Sequence, residues 1–376
     1  MSKYIQLAYT KGELNTQLSE LFASMLENKA VDAILAPMTQ PKKGVMQTLV
    51  TSKDNVKEID PFAPVMPVNS AKIASSLTTS PSGKKIAMVL RSCEVRALVE
   101  LVKLKQADLD DVVLIGIDCL GRYENTDFLK FQAKEGTSES FLENAMAGKT
   151  EGDGFDVAGA CKVCEYPVAP NVDINLCAIG SGSGSLFIEA LTEKGEEVLS
   201  AAGAKFVNGP SGRQDAVGKI AKERSEARNA LFESYRSETG SFDALDDKLA
   251  ACINCYNCRV ACPVCYCKEC VFVTDTFRHK GEQFIGWADN KGSLRMPTDT
   301  SFYHLTRITH MAAFCVGCGQ CTSACPNDID VMPIFRTSAQ KIQDRFEYLA
   351  GRSVDEPQPL SVFDSDELME VTGQVK

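Results

Sequence analysis

The hydrophobic pattern is sharpest between residues 84 and 118. Lys84 to Leu90 (KKIAMVL) closes in an unbroken apolar run, short enough for a buried strand. Val95 to Lys105 (VRALVELVKLK) then spaces its apolar residues as one face of a helix does. Asp111 to Asp118 (DVVLIGID) reads as a second buried strand. Together they predict a strand–helix–strand unit, hence a parallel pair joined by a right-handed crossover. Toward the C-terminus the pattern turns helical. Asp243 to Ala250 (DALDDKLA) and Met332 to Leu349, with Ile334, Phe335, Ile342 and Phe346, read as helices. So does Phe302 to Phe314 (FYHLTRITHMAAF), where Phe302, Leu305, Ile308 and Ala312 recur at helical spacing. Gln214 to Arg236 is highly charged on one face and reads as a solvated linker helix. The acidic stretch from Asp355 to Lys376, with Pro357 and Pro359, reads as an extended arm suited to lie along a partner subunit.

Composition narrows the classes. A chain of 376 residues predicts two or three domains. A formal net charge of -10 argues against nucleic acid as a partner. No apolar run approaches the roughly 18 residues of a membrane span. The start, Met-Ser-Lys-Tyr-Ile-Gln, lacks the charged-then-apolar pattern of a secretory signal, so a cytoplasmic location is expected. There the 16 cysteines would stay reduced, and their clustering points to metal rather than disulfides. Three histidines and the single Trp287 leave little for a His-rich metal site or a triad hydrolase.

Two cysteine runs carry the most specific chemistry. They are Cys252-x2-Cys255-x2-Cys258-x3-Cys262-Pro263 and Cys315-x2-Cys318-x2-Cys321-x3-Cys325-Pro326. This is the bacterial-type iron–sulfur run, written twice. Thiolates at that spacing wrap one face of a cubane, and the last Cys of each run ligates the other cluster. One cluster is therefore assigned to Cys252, Cys255, Cys258 and Cys325, the other to Cys315, Cys318, Cys321 and Cys262. A structural zinc site, the competing reading, needs neither the Pro nor two matched runs. More than fifty residues separate the runs, with a helical stretch between them, which predicts an α-helical ferredoxin-type domain. His304 and His310 fall on that stretch and read as core or surface histidines.

Further thiols extend the inventory. Arg91-Ser92-Cys93-Glu94 follows the first strand and Cys119-Leu120-Gly121 the second, so both cysteines reach the same carboxyl edge of the sheet, where α/β proteins place ligands. With Cys161-x2-Cys164 they make a ligand set for a third cubane; the alternative is that Cys93 and Cys119 are small buried apolar residues. Cys265, Cys267 and Cys270 follow the first run closely. They either complete a further cluster with a distant thiol such as Cys177, or serve as neighbours or alternative ligands of the first.

The order of several segments resembles the β-subunit family of coenzyme F420-reducing hydrogenases and dehydrogenases. These are Leu21 to Pro37 (LFASMLENKAVDAILAP), IAMVLRSCEVRALVEL, IGIDCLGRYEN, ACKVCEYP, VDINLCAIGSGSG and the closing LTEKGEEVL. With two four-iron runs added, the layout is closest to flavin-containing β-subunits of formate dehydrogenases. The resemblance implies a mixed α/β domain over residues 1–240 with FAD and one cluster on Cys93, Cys119, Cys161 and Cys164. A two-cluster ferredoxin domain over 241–350 and an extended tail over 351–376 would follow. It implies a flavin near Ser92, Glu94 and Arg96, where a helix N-terminus suits a diphosphate, with Asn69, Ser70 and Lys72 as further candidates. Gly180, Gly182 and Gly184 either let backbone approach a cofactor or form a flexible turn; the Rossmann fingerprint is absent.

The implied function is that of an electron-transfer subunit in an anaerobic oxidoreductase, linking two-electron flavin chemistry to single-electron relay. Its partners would be catalytic subunits of formate dehydrogenase α-type, hydrogenase or heterodisulfide reductase. Thr10 to Asn15 has one Gly where F420-using members often have two, so nicotinamide, a partner's flavin or ferredoxin are alternative exchange partners. A flavin-free iron–sulfur conduit and a cluster scaffold are the competing functions.

Overall fold

Ile86, Ala87, Met88, Val89 and Leu90 are all buried, so the strand that carries them needs a covering layer on each face. The computed structural model, which describes residues 3–41, 44–152 and 154–361, supplies both layers. The strands are β1 (Lys3–Ala8), β2 (Ala33–Thr39), β3 (Val45–Val50), β4 (Ile86–Arg91), β5 (Val112–Ile117), β6 (Ile174–Cys177) and β7 (Ser185–Ala190). They form one sheet in the order β1-β7-β6-β5-β4-β2-β3. β2, β4, β5 and β6 run parallel; β3 on one edge, and β7 and β1 on the other, join antiparallel. The fold is mixed α/β.

The predicted strand–helix–strand unit is present as β4, the Ser92–Lys103 helix and β5. One boundary differs. The apolar pattern starts the helix at Val95, but the helix begins at Ser92, directly after the strand. The Glu94 carboxylate accepts the Arg91 backbone N–H at 2.8 Å and closes the first turn onto the strand end. The helix stops at Lys103, and Lys105 turns the chain away with a φ of 58°.

Side chains alternate between two cores. Ala87, Val89, Val113 and Ile115 face the Leu14–Glu27 helix, with Leu18, Phe22 and Met25. Ile86, Met88, Leu90 and Leu114 face the Ser92–Lys103 helix, with Val95 and Leu98. That second core runs on into residues far along the chain: Leu249, Val264, Phe314, Val316, Ile334 and Phe335. The residues beyond 240 therefore share an interior with the sheet.

Among the described residues no strand follows Ala190. The expected helices appear as Arg213–Glu238, Phe242–Lys248, Thr300–Met311 with a 3-10 turn Ala312–Phe314, and Val331–Arg345. The Arg213–Glu238 helix is solvated over most of its length but seats Phe232 inside and bonds Arg236 to Gln340 at 2.6 Å.

The tail departs from the extended arm expected of it. Through Ser361 it turns back onto the Ser92–Lys103 helix, drawn by a buried carboxylate. Glu100 is 0% exposed and accepts from Tyr348 Oη and the Gly351 N–H at 2.6 Å and from Gln358 Nε2 at 2.8 Å. Arg96 donates to the Ala350 carbonyl at 2.9 Å. Residues 362–376 lie outside the described residues.

Gly351 is where this return is tightest. Its φ is 76°, and a Cβ there would lie 2.4 Å from Arg96 Cα and from the Arg96 carbonyl oxygen. Gly351→Ala is expected to destabilise the protein by about 2–4 kcal/mol, combining left-handed strain with a clash against backbone. Thermal unfolding of the variant measures this; an unchanged midpoint would contradict the packing described.

Candidate metal centres

Register fixes the first group of thiols. Arg91 pairs with Ile117 across β4 and β5, so Cys93 and Cys119, each two residues further on, arrive at the same sheet edge. Cys161 sits on the short Gly159–Lys162 helix, with Cys164 just after it. All four line one cavity, together with Ser92 and Cys318. The presence of Cys318, a member of the second ferredoxin-type run, was not foreseen.

Burial makes these thiols reluctant to ionise. Cys93 is pushed well above the usual thiol range by burial and then by Cys318, Glu94, Cys119 and Cys164 beside it. Burial pushes Cys161 up to about 11, with Arg122 opposing, and raises Cys164. Two cations, the buried Arg122 and the half-buried Arg224, answer the charge. Arg122 donates to Glu124 at 2.8 Å and to Ser323 Oγ at 2.6 Å. Arg224 donates to the carbonyls of Leu120 at 2.8 Å and Cys119 at 3.2 Å. A set of soft thiolates in such a place fits an iron–sulfur cluster, whose iron carries the compensating charge.

The two ferredoxin-type runs are brought together crosswise. Cys252, raised by burial, has Cys258, Cys325 and Cys255 as its thiol neighbours. Cys262, also raised by burial, has Cys318, Cys315 and Cys265, and Cys321 has Cys262, Cys318 and Cys315. The local cause is that the Asn257–Ala261 and Gln320–Ser323 helical turns pack on each other. The thiol after each turn is thereby delivered to the other group.

Between these groups stands Arg307, 3% exposed. It donates to Cys258 Sγ at 3.0 Å and to the Cys258 carbonyl at 3.1 Å, and its guanidinium lies 4.4 Å from the Phe335 ring centre. Cys262 and Cys321 feel the same charge. His304, 1% exposed, places Nε2 3.5 Å from Cys252 Sγ, and burial pushes its pKa down to about 4. Sequence reading missed Arg307 and left His304 as a core residue. The available signal was their shared helical face with Tyr303, whose hydroxyl lies 3.4 Å from Cys258 Sγ.

Most of the six residues expected at a flavin diphosphate also make contacts within the protein. Glu94 also accepts the Ser70 N–H at 3.0 Å. Arg96 lies 3.9 Å from the Tyr166 ring centre and donates to the Val316 carbonyl at 3.2 Å. Lys72 donates to the Val260 carbonyl at 3.1 Å, and Asn69 Oδ1 accepts from the Ala71 N–H at 3.1 Å. Ser92 faces the thiol cavity. Ser92 Oγ and Asn69 Nδ2 are buried without a hydrogen-bond partner, so the helix start is only partly taken up by protein contacts. Gly180, Gly182 and Gly184 all have positive φ in the turn between β6 and β7; a Cβ on Gly180 would lie 2.9 Å from Arg213 Cα, whereas a Cβ on Gly182 would meet open space.

Cys177 lies buried on β6, with Asn175 Nδ2 3.4 Å from its sulfur. It does not line the cavity of Cys265, Cys267 and Cys270, so it is not the distant thiol that could complete a cluster there. Among the described residues no three His, Cys, Asp or Glu side chains close on one point as ligands of a single metal ion do. The thiols instead stand around shared space, as ligands of a polyatomic cluster must.

Residues 83–207 match the family model for the C terminus of the coenzyme F420 hydrogenase/dehydrogenase beta subunit. The chain is 27% identical to the F420-dependent formate dehydrogenase subunit β of Methanocaldococcus jannaschii, covering 91% of this chain and 93% of that one. It is 28% identical to the F420-dependent formate dehydrogenase 1 subunit β of Methanococcus maripaludis, covering 93% of each. By these matches the chain is similar to the coenzyme F420-reducing hydrogenase/dehydrogenase β-subunit family, and the relatives named here are oxidoreductase subunits. Residues 308–329 match the 4Fe-4S binding domain. A chain in the F420-reducing [NiFe] hydrogenase complex of Methanosarcina barkeri, solved with xenon, aligns with 62% of this chain and 92% of its own. Its identity is 15% and the TM-score 0.43.

Arg307 gives the chain a testable electrostatic feature. A buried cation favours the reduced, more negative state of any cluster beside it. Arg307→Gln is expected to lower the reduction potential of the clusters on either side by several tens of millivolts, where about 59 mV corresponds to a tenfold change for a one-electron couple. Potentiometric titration followed by paramagnetic resonance reads this; unchanged potentials would mean the guanidinium is only a packing element.

Proposed function

We propose that the chain is the electron-relay subunit of a formate-dehydrogenase-type complex, with three [4Fe-4S] clusters. One is held by Cys93, Cys119, Cys161 and Cys164. A second is held by Cys262, Cys315, Cys318 and Cys321, and a third by Cys252, Cys255, Cys258 and Cys325. The observation that carries the reading is the place of Cys318. It lines the cavity of the first set and is a thiol neighbour of the second. Arg307 then joins the second set to the third. The three sets make one continuous line, and iron–sulfur clusters pass electrons singly along such a line.

The third set reaches solvent. Cys255 is exposed, and the same segment exposes Ile253 and Val260. We assign this end to the catalytic partner. Of the candidate partners, a formate dehydrogenase α-type subunit is favoured over hydrogenase or heterodisulfide reductase subunits, because the relatives named above are formate dehydrogenase subunits. Among the described residues no helix is long and apolar enough to cross a membrane. A scaffold that gives up its clusters would need accessible ligands; here the thiols of the first and second sets are half-buried, Cys262 fully so, and are braced by the buried Arg122, Arg307 and Arg336.

A second reading adds FAD to this chain. It rests on carrier chemistry: the relatives' names specify F420, a hydride carrier, and a hydride must be split into single electrons before clusters can pass them. At the start of the Ser92–Lys103 helix the Glu94 carboxylate already takes the Arg91 and Ser70 N–H groups, which disfavours a diphosphate there. Room of a suitable size exists elsewhere, in an open cavity of about 690 Å³ lined by Gly209, Gly212, Arg213 and Gln214. Arg213 also donates to Asp118, the residue before Cys119, at 2.8 Å, which puts this cavity beside the same sheet edge.

The cluster assignments are tested by Cys325→Ala. The variant is expected to damage the cluster of Cys252, Cys255 and Cys258 and to spare that of Cys315, Cys318 and Cys321. Paramagnetic resonance of the variant assigns the loss, and damage to its sequence neighbour instead would refute the crossed ligation. Flavin is tested on the native complex, isolated without oxygen and assayed for formate-driven cluster reduction. Acid-released FAD of about one per chain supports the flavin-bearing reading, since a flavin is the carrier's two-electron partner. Formate-reducible clusters without flavin support the conduit, and clusters that formate leaves oxidised would refute the formate assignment.

A further inference from the structure

Three thiols are left over from the relay. Cys265, Cys267 and Cys270 fall within six residues, on irregular backbone between the Asn257–Ala261 helical turn and the 3-10 turn Val271–Val273. Without helical or strand periodicity, their side chains are free to turn to one side. They do: all three line one cavity of about 160 Å³. His310, from the last turn of the Thr300–Met311 helix, lines the same cavity. Three thiols and one imidazole make a complete ligand set for a cluster.

We propose a fourth four-iron cluster, held by Cys265, Cys267, Cys270 and His310. The inference rests on the iron–sulfur reading of the chain and adds a site to it.

Size, donors and charge all favour a cluster over a single ion. A dry cavity of about 150 Å³ takes a molecule the size of benzene. The space here is of that order, and the four side chains stand around it rather than closing on a point. Zinc would need its ligands drawn to within about 2.0–2.3 Å of one centre. Soft thiolates with imidazole suit iron–sulfur chemistry, whereas Glu269, which also lines the cavity, is a hard oxygen donor. The surroundings are cationic: Arg307, Lys72 and Arg259 all act on Cys265, and Arg259 and Arg307 line the cavity. Such charge is what a buried anionic cluster requires. Cys265 is a neighbour of Cys262, and Arg307 serves both the new site and the relay, so the fourth cluster stands beside the line of the other three.

The test uses the full chain, isolated anaerobically. Iron, acid-labile sulfide and zinc are counted in the wild type and in the Cys267→Ser/Cys270→Ser double variant. The wild type is expected to hold about sixteen iron and sixteen sulfide, four per cluster, and the variant about twelve of each. Equal iron in the two proteins, or a loss of zinc without sulfide, overturns the fourth cluster. A wild type that loses nothing to the double variant yet holds about twelve iron leaves the three-cluster relay standing, whereas about eight would sink that relay itself. His310 supplies a variant that does not disturb packing, because it is exposed. His310→Cys is expected to keep the iron count while lowering the potential of one cluster and changing its resonance signal, since imidazole ligation raises cluster potentials relative to thiolate. Spectra and potentials that superimpose on those of the wild type would remove His310 from the site and overturn the proposed ligand set.

Discussion

Thiolate charge in a low-dielectric interior is the constraint around which this chain is arranged. Burial alone lifts Cys93, Cys161, Cys262 and Cys321 above the ordinary thiol range, and each thiol makes its neighbours harder to ionise. Such groups persist in the charged form only if positive charge is brought in with them. The protein brings it in two ways. Iron is the larger, and buried arginine is the one visible in the fold. Arg122, Arg307 and Arg336 are all nearly sequestered, and each acts on thiols of more than one group. An arginine in such a place is costly without acceptors. Arg336 therefore pairs with Glu165 at 2.6 Å and bonds the Val316 carbonyl at 3.2 Å, while Arg122 takes Glu124. The guanidinium is suited to this work because it stays charged and offers a planar fork of donors.

The same logic explains why the sheet and the helical region are not separate bodies. If they were, the cavity of Cys93, Cys119, Cys161 and Cys164 would open to water on the side where Cys318 now closes it. The Ser92–Lys103 helix is the hinge of this closure. Its first turn carries Cys93. Its middle carries Arg96, bonded to Val316 and Ala350, and its end carries Glu100, which gathers Tyr348, Gly351 and Gln358. One helix thus fixes the distance between a thiol of the first set and the strand of chain that bears the second. A relay needs that distance held constant, and buried hydrogen bonds to charged groups hold it more firmly than apolar contact, which tolerates sliding.

What was legible in the sequence was what depends on short-range pattern. The apolar runs before Cys93 and Cys119 specified parallel strands, and parallel strands place both cysteines at one edge. The spacing of the second run specified its chemistry, since residues 308–329 match the 4Fe-4S binding domain. What could not be read depended on packing between distant segments. Arg307 looks like any basic residue on a helix until Cys258 and Phe335 are set against it. Cys318 looks like a member of one set until it is found lining another. The flavin candidates rest on a helix N-terminus alone. This one begins directly after a strand, with Glu94 closing its own first turn and Cys93 carried on it, so what it faces depends on packing that no short-range pattern shows.

Burial also varies along the line of thiols in a way that bears on electron flow. Each set has an arginine beside it, Arg307 bonding Cys258 of the third, but only the third ends at an exposed thiol, Cys255. Buried cations stabilise a reduced cluster through charge that water does not screen, whereas exposed charges are screened within about 8–10 Å. With a net charge of -10, the chain as a whole disfavours added electrons, so the buried arginines act against the background field just where the relay runs. The solvent-facing cluster is the one whose environment a partner can change. Docking there would strip water from Cys255 and from the exposed Ile253 and Val260, and desolvation would alter that cluster's potential while leaving the inner ones as they are. On the ligation proposed above, docking at that end would couple assembly to electron entry at a single end of the molecule, with no moving part needed in the interior.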